Sequence, residues 1–336
     1  MKGNYFESAV YHLYHGHETY RDPARFKLFN KLKSYTKKDW LKQIDSYEWG
    51  KPVVCSDIDH HDSYYDEDIL KRLKESKTPV ITMCLVSYRR YDILIKILNR
   101  YVEFDIPINM LLWLNSYEDY TDAEIECIKS TCSDLYHYDI HFCQKNVGTG
   151  HSRNILLSRA YREYDTPYIM TSDDDIYYDT EEDLLIGASI LEQEDYNEYG
   201  AVGIWCNPIY NSLYIVEDEL RNYKSRKGFY GVDSLGAATM TLKREVLSKC
   251  NVDPEYIIGW VDADFSFEIR KQNYKIGLLC DDRWKPTNIA DQSDDIYREA
   301  RSNKDIKKQS IKRFVKKWGL TPIWRFQKNI SEYNGY

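Results

Sequence analysis

Tyr168-Ile169-Met170-Thr171-Ser172-Asp173-Asp174-Asp175 passes from apolar to acidic within one short run. A β-forming segment that ends abruptly in carboxylates reads as a buried strand delivering charge to a sheet edge, where open α/β folds place their ligands. Three adjacent carboxylates repel one another. That cost falls if a hard divalent cation, Mg²⁺ or Mn²⁺, sits between them and a phosphate-bearing substrate. A solvated acidic turn is the plainer alternative, because more acid follows in Asp179, Glu181, Glu182 and Asp183.

Upstream of this stretch, from Pro79, apolar β runs alternate with amphipathic helical runs, the pattern of a mostly parallel sheet flanked by helices. Strands are predicted at 80–86, 108–114, 138–143 and 167–170, with helices after Arg90, over 122–132 and over 155–161. Downstream, 201–206 and 236–242 read as further strands, and helices are predicted over 243–250 and through Arg270. Residues 1–78 form a polar, aromatic N-terminal extension, mainly helical from Asp22-Pro23, with apolar residues at helical spacing between Phe26 and Ile44. Within it, Asp57-Ile58-Asp59-His60-His61-Asp62 has metal-ligand chemistry but reads as a polar loop, since adjacent residues seldom aim at one centre. The tail from Arg301 is basic around Ile306, Ile311, Phe314 and Trp318. It predicts an amphipathic helix that either grips an anionic partner or docks with a solvated lysine face. The expected organisation is therefore an extension over 1–78, a catalytic α/β domain over 79–300 and a helical tail over 301–336.

Composition narrows the function classes. A net charge of −8 argues against a surface built to track a phosphate backbone. The opening residues lack a signal-peptide core and no stretch has the length of a membrane span, so the expectation is a cytoplasmic protein, with a membrane-peripheral place as the alternative. Eight scattered cysteines contain no Cys-x-x-Cys pair, and several sit in apolar runs as small hydrophobes. The 31 tyrosines suit a sugar-binding surface, since a ring stacks on a pyranose face while its hydroxyl bonds the rim, although nucleotide bias produces the same excess.

In order along the chain, Ser87-Tyr88-Arg89-Arg90 after the first strand, Asn146-Val147-Gly148 with Ser152-Arg153-Asn154, Asp173-Asp174-Asp175, Gly259-Trp260-Val261-Asp262-Ala263-Asp264-Phe265 and Phe314-Val315-Lys316-Lys317-Trp318-Gly319 resemble the motifs of the GT-A glycosyltransferases. Within them the resemblance is to the inverting family 2 group, and it runs from about Val80 to Gly319. It implies a GT-A α/β fold and transfer of a sugar, a hexose by family habit, from a nucleotide-diphosphate donor, commonly a UDP-sugar, to an acceptor hydroxyl. A cation on Asp175 and Asp173 would stabilise the departing diphosphate as a Lewis acid. Asp173 would otherwise reach the ribose, and Asp174 would point the other way. The acceptor hydroxyl needs a carboxylate to take its proton, and Asp262 is the first choice, with Asp264 supporting it, binding acceptor hydroxyls or capping the helix. Trp260 is an apolar wall for the sugar or a core residue. Arg153 contacts the diphosphate or bridges to the acidic cluster, and Gly148 allows close backbone approach. Ser87, Tyr88, Arg90, Asn115 and Asn146 complete the donor contacts.

The pattern departs from the family in one way that bears on the metal. Many metal-dependent GT-A enzymes add a late histidine ligand, whereas the last histidine here is His151, which leaves Asp281, Asp282, Asn288 and Asp291 as oxygen substitutes. The expected partners are a nucleotide-sugar donor and a saccharide or glycoconjugate acceptor. A lipid acceptor at a membrane surface or a modified nucleic-acid base are alternatives, with oligomer contacts through the N-terminal extension. The rival functions are a metal-dependent nucleotidyltransferase and a non-catalytic module that binds sugar nucleotides or glycans.

Overall fold

The β-branched and apolar runs build strands wherever two helices can cover them. In the computed structural model, which describes residues 60–61, 64–204, 228–232, 234–284, 286–290 and 303–318, eleven strands are described. They are β1 (His60–His61), β2 (Ile81–Tyr88), β3 (Asn109–Asn115), β4 (His137–Cys143), β5 (Tyr168–Asp173), β6 (Ile176–Tyr177), β7 (Tyr199–Gly203), β8 (Gly228–Gly231), β9 (Thr239–Lys243), β10 (Lys275–Cys280) and β11 (Thr287–Asn288). The helices are α1 (Glu67–Lys74), α2 (Tyr91–Val102), α3 (Asp122–Cys132), α4 (Thr149–Glu163), α5 (Glu181–Glu192), α6 (Val261–Lys271) and α7 (Lys304–Trp318).

Nine strands form one sheet in the order β1-β8-β10-β7-β9-β5-β2-β3-β4. All but β8 and β9 run in one direction, so the sheet is mostly parallel. The parallel block β5-β2-β3-β4 brings its carboxyl ends together: Val86 is level with Asp173, Tyr88 with Asn115 and Asn115 with Cys143. The short strands β11 and β6 pair separately, Asn288 opposite Ile176, just beyond the acidic run.

Side chains alternate across the central strands. Met83, Leu85, Met110, Leu112 and Leu114 enter a core shared with Leu70 and Leu73 of α1, Leu94, Ile97 and Leu98 of α2, Ile128 of α3 and Leu184 to Leu191 of α5. Cys84, Leu111 and Trp113 point to the other face, where α4 lies across β2, β3 and β5. Helix α5 is buried from Asp183 to Leu191 because it is sandwiched between the sheet and α1.

By its contacts the chain divides into two units. The described residues lie in the one formed by 54–208 and 217–310, except for 311–318. Tyr64, Leu70 and Leu73, which precede the expected boundary at 79, share this unit's core. The helix expected from Asp22 lies outside the described residues, as does Asp291. His60–His61, expected in a polar loop, pairs as an edge strand with Tyr230 and Phe229. The helix expected over 243–250 is a shorter 3₁₀ turn, Arg244–Ser248, and α4 begins six residues before the expected Ile155.

Candidate active site at the carboxyl ends of the central strands

Strand β5 ends at Asp173, and the turn through Asp174 and Asp175 leads into β6. The turn is held from outside as well, since Ile289 N donates to the Asp175 carbonyl at 2.8 Å. From this turn the carboxylates part in two directions, each toward an arginine.

Asp174 and Asp175 turn inward to Arg90, which immediately precedes α2. A single Arg90 nitrogen, Nη1, donates to Asp174 Oδ1 at 3.1 Å and to Asp175 Oδ2 at 2.8 Å. Ser87 Oγ and Tyr88 N donate to Asp174 Oδ2 at 2.7 and 3.3 Å. The side chains are 12%, 9% and 5% exposed for Arg90, Asp174 and Asp175, so this is a closed, desolvated cluster. Burial drives the Asp174 carboxyl up to about 7 against the opposing pull of Arg90.

Asp173 turns the other way, to Arg153 in the second turn of α4. Arg153 Nη2 donates to Asp173 Oδ1, and its Nη1 donates to Asp262 Oδ1 at 3.0 Å. The guanidinium side chain is 3% exposed, whereas Asp173 and Asp262 are 35% and 24% exposed. One buried cation thus holds two open carboxylates, one from β5 and one from the first turn of α6, 109 residues beyond it in sequence.

Asp262 reaches this position through an unusual turn. Gly259 and Trp260 both have left-handed backbone, φ 70° and 63°, and Trp260 is the residue before α6. A tryptophan at positive φ costs on the order of 1 kcal/mol or more, and it persists only where the surroundings fix it. The fixing contacts lie on both sides. Thr149 N and Gly150 N, the first amides of α4, donate to the carbonyls of Ile257 and Tyr256 at 2.9 Å each. A Cβ on Gly148 would stand 2.5 Å from Ile257 Cα, and one on Gly150 would stand 2.5 Å from the Tyr256 carbonyl oxygen. Asn251 Nδ2 donates to the Asn154 carbonyl at 3.1 Å, and Ser310 Oγ donates to the Ile258 carbonyl at 2.9 Å.

Several expected donor contacts are therefore spoken for. Ser87 is fully buried and holds Asp174, so it does not face a ligand. Asn115 is buried too: its Oδ1 accepts from Trp113 Nε1 at 3.0 Å and Val147 N at 3.3 Å, while its Nδ2 donates to Ser152 Oγ at 3.2 Å. Gly148 admits the 256–258 backbone rather than a phosphate. The amides at the α4 N-terminus are occupied by that same backbone, and Arg153 bridges carboxylates. Asp264 is fully buried and accepts from the Tyr256 hydroxyl at 3.3 Å, which takes it away from any acceptor. Asp174 does diverge from Asp173 as alternation predicts, but Asp175 joins it on Arg90. Tyr88 and Trp260 are half-buried at the edge, and Asn146 is exposed, its Oδ1 accepting from Gly148 N at 2.9 Å. Of the oxygen substitutes for a late histidine, Asp281 is held by Arg283 at 2.8 Å and by the Tyr64 hydroxyl. Burial pushes its carboxyl up, but those bonds outweigh it and hold the group down at about 2. Asn288 is brought beside the acidic turn by the β6–β11 pairing.

For a divalent cation the fit is partial. Among the described residues, no three His, Cys, Asp or Glu side chains converge. Asp175 lies behind Arg90, and Asp173 is the carboxylate of the acidic run that faces outward. One open carboxylate plus substrate phosphates and waters is a donor set that Mg²⁺ or Mn²⁺ accepts, whereas an all-protein cage is absent from the described residues.

No family model matches this chain, and no curated protein matches it. Solved structures do. The mannosyltransferase PcManGT from Pyrobaculum calidifontis, solved with GDP-Man and Mn²⁺, is 15% identical with a TM-score of 0.50, over 74% of this chain and 70% of that one. S. aureus TarS is 13% identical at a TM-score of 0.46, over 70% of this chain and 39% of that one. The α/β architecture expected from the motifs is thus the Rossmann-like fold of a glycosyltransferase of known structure.

Proposed function

We propose that this chain is an inverting glycosyltransferase of the family 2 type, which moves a hexose from a nucleotide-diphosphate sugar, a UDP-sugar by family habit, to a hydroxyl of a saccharide or glycoconjugate. The observation that carries the reading is the Arg153 bridge. It sets an outward carboxylate at the end of the central strand beside a second one on α6, two half-open acids on one buried cation. That is what a displacement needs when it has a diphosphate on one side of the anomeric carbon and a hydroxyl nucleophile on the other.

In this reading Asp262 accepts the proton of the acceptor hydroxyl, which is a poor nucleophile at neutral pH without a base. Arg153 orients Asp262, its Nη1 donating to Asp262 Oδ1 at 3.0 Å. Asp173 stands on the donor side. Asp173 would hold Mg²⁺ or Mn²⁺ together with the donor's phosphates, and the cation would supply Lewis-acid stabilisation of a departing nucleoside diphosphate. Tyr88 and Asn146 line the nucleotide side, Trp260 walls the sugar, and Asp264 holds the first turn of α6 through Tyr256. Arg90, Asp174 and Asp175 form the rigid floor beneath. The α/β domain over 79–300, with Tyr64 and α1 packed into its core, does the chemistry.

Calorimetric titration of UDP, GDP and dTDP with and without Mn²⁺, paired with product analysis of a sugar-nucleotide panel, tests this. One nucleotide binds in a metal-dependent way, Asp173→Asn weakens it at least tenfold, and Asp262→Asn leaves binding in place while turnover is lost. Absence of nucleotide binding, or undiminished turnover in Asp262→Asn, overturns the reading. Release of pyrophosphate in place of a nucleoside diphosphate assigns the chain to the nucleotidyltransferases instead.

A further inference from the structure

Helix α7 has a charge distribution that the transferase reading does not use. Between Lys304 and Trp318 the sequence has seven cationic residues and one acidic one, a net +6. The whole chain carries −8, so the remainder carries −14. The positive charge is ordered along the helix as well as concentrated in it. Lys308, Lys312 and Lys316 recur at every fourth residue and so share one face, with Lys312 and Lys316 exposed. Ser310 and Phe314, which fall on the opposite side, are buried. Like charges four residues apart on a helix repel, so the stripe costs helix stability when it faces only water. Its end carries Lys317, whose ammonium lies 5.2 Å from the Trp318 ring, and tryptophan beside lysine is the pairing found at membrane interfaces.

We infer that the lysine face of α7 docks on an anionic membrane surface. A flat sheet of negative headgroups meets a straight stripe along its whole length and relieves its self-repulsion. A long polyanion extending past the helix would instead meet a protein that is strongly negative elsewhere. Among the described residues no helix is long and apolar enough to cross a membrane, so the contact is one of surface charge. Ser310 Oγ, on the side of the helix away from the stripe, donates to the Ile258 carbonyl at 2.9 Å. The docking itself does not depend on the donor or on turnover.

The test is co-sedimentation of the full chain with vesicles of phosphatidylcholine alone and with vesicles of equal parts phosphatidylcholine and phosphatidylglycerol, at rising salt. The expected result is salt-sensitive binding to the anionic vesicles only. The triple variant Lys308→Gln, Lys312→Gln, Lys316→Gln lowers partitioning roughly a hundredfold, about fivefold per lysine at a charged bilayer. The charge-matched control Lys71→Gln, Lys77→Gln, Lys145→Gln, all exposed positions, retains it. Circular dichroism of both variants checks that they are folded. Failure to bind anionic vesicles at low salt overturns the inference, as does equal loss in the two variants. Tighter, stripe-dependent binding to duplex DNA or RNA than to vesicles also overturns it, by making the partner a polynucleotide. None of these readouts involves sugar transfer, so the docking and the transferase reading fail separately.

Discussion

Two arginine–carboxylate clusters stand side by side at the edge of this sheet, built from the same chemistry and put to different ends. Around Arg90 every side chain is closed off, and a serine hydroxyl and a backbone amide add to the cation in holding Asp174. Around Arg153 the cation is buried but both its acids are open. A buried pair costs desolvation on both partners and mainly fixes geometry. A half-open acid on a buried cation is held in orientation while remaining reachable. Identical residue types therefore give a closed cluster in one place and an accessible one in the other, and exposure is what separates them.

The largest expected effect lies on the open side. Asp262→Asn lowers kcat by 10² to 10⁴, the usual worth of a positioned general base, with nucleotide affinity unchanged by calorimetry. If kcat holds, the open cluster is structural too and the comparison collapses. On the closed side, Arg90→Met leaves two buried carboxylates without their cation and costs about 3–5 kcal/mol in urea denaturation, while Asp173→Asn costs under about 1 kcal/mol. Equal losses in those two variants would erase the distinction. Gly150→Ala tests the interlock that carries Asp262. Its methyl must displace backbone oxygens, so about 1–3 kcal/mol of stability goes and activity falls with it.

A further small effect belongs to Asp281, a paired acid away from both clusters. Its folded pKa, about 2, lies below its ordinary value, so its contribution is present above about pH 4 and is lost as the pH falls through 2. With Arg283 59% exposed, solvent screening leaves on the order of 1 kcal/mol. Thermal unfolding of Asp281→Asn against the parent should show that gap at pH 6 and its closure near pH 2.

The strand-and-helix order from Ile81 to Asp173 was legible because β2, β3 and β5 are largely apolar runs buried on both faces, the edge strand β4 alternates Tyr138, Ile140 and Phe142 with polar residues, and α2 carries a 3.6-residue stripe. The residue types at the candidate site were legible as well, since an apolar run that ends in carboxylates marks the edge of a sheet. Their directions were not. Ser87 and Asn115 look like ligand contacts in sequence because small polar residues suit either role, and only the neighbouring strands decide that they turn inward. Gly148 and Gly150 advertise close approach without saying to what. The pairing of β6 with β11 joins strands too short for any periodicity, 110 or so residues apart, and Trp260 gives no sign in sequence of its left-handed backbone.

The two hydrogen bonds of Arg153 also set an order of events. One closes a loop of 20 residues and the other a loop of 109. The longer closure costs about 1.5 kcal/mol more in chain entropy, and it waits until the intervening strands β7 and β9 have found their places. During synthesis, a chain that has emerged only through β5 can join Arg153 to Asp173, yet it lacks the second acid altogether. The two-acid bridge on Arg153 exists only once the chain through α6 is made, so no shorter nascent chain carries it.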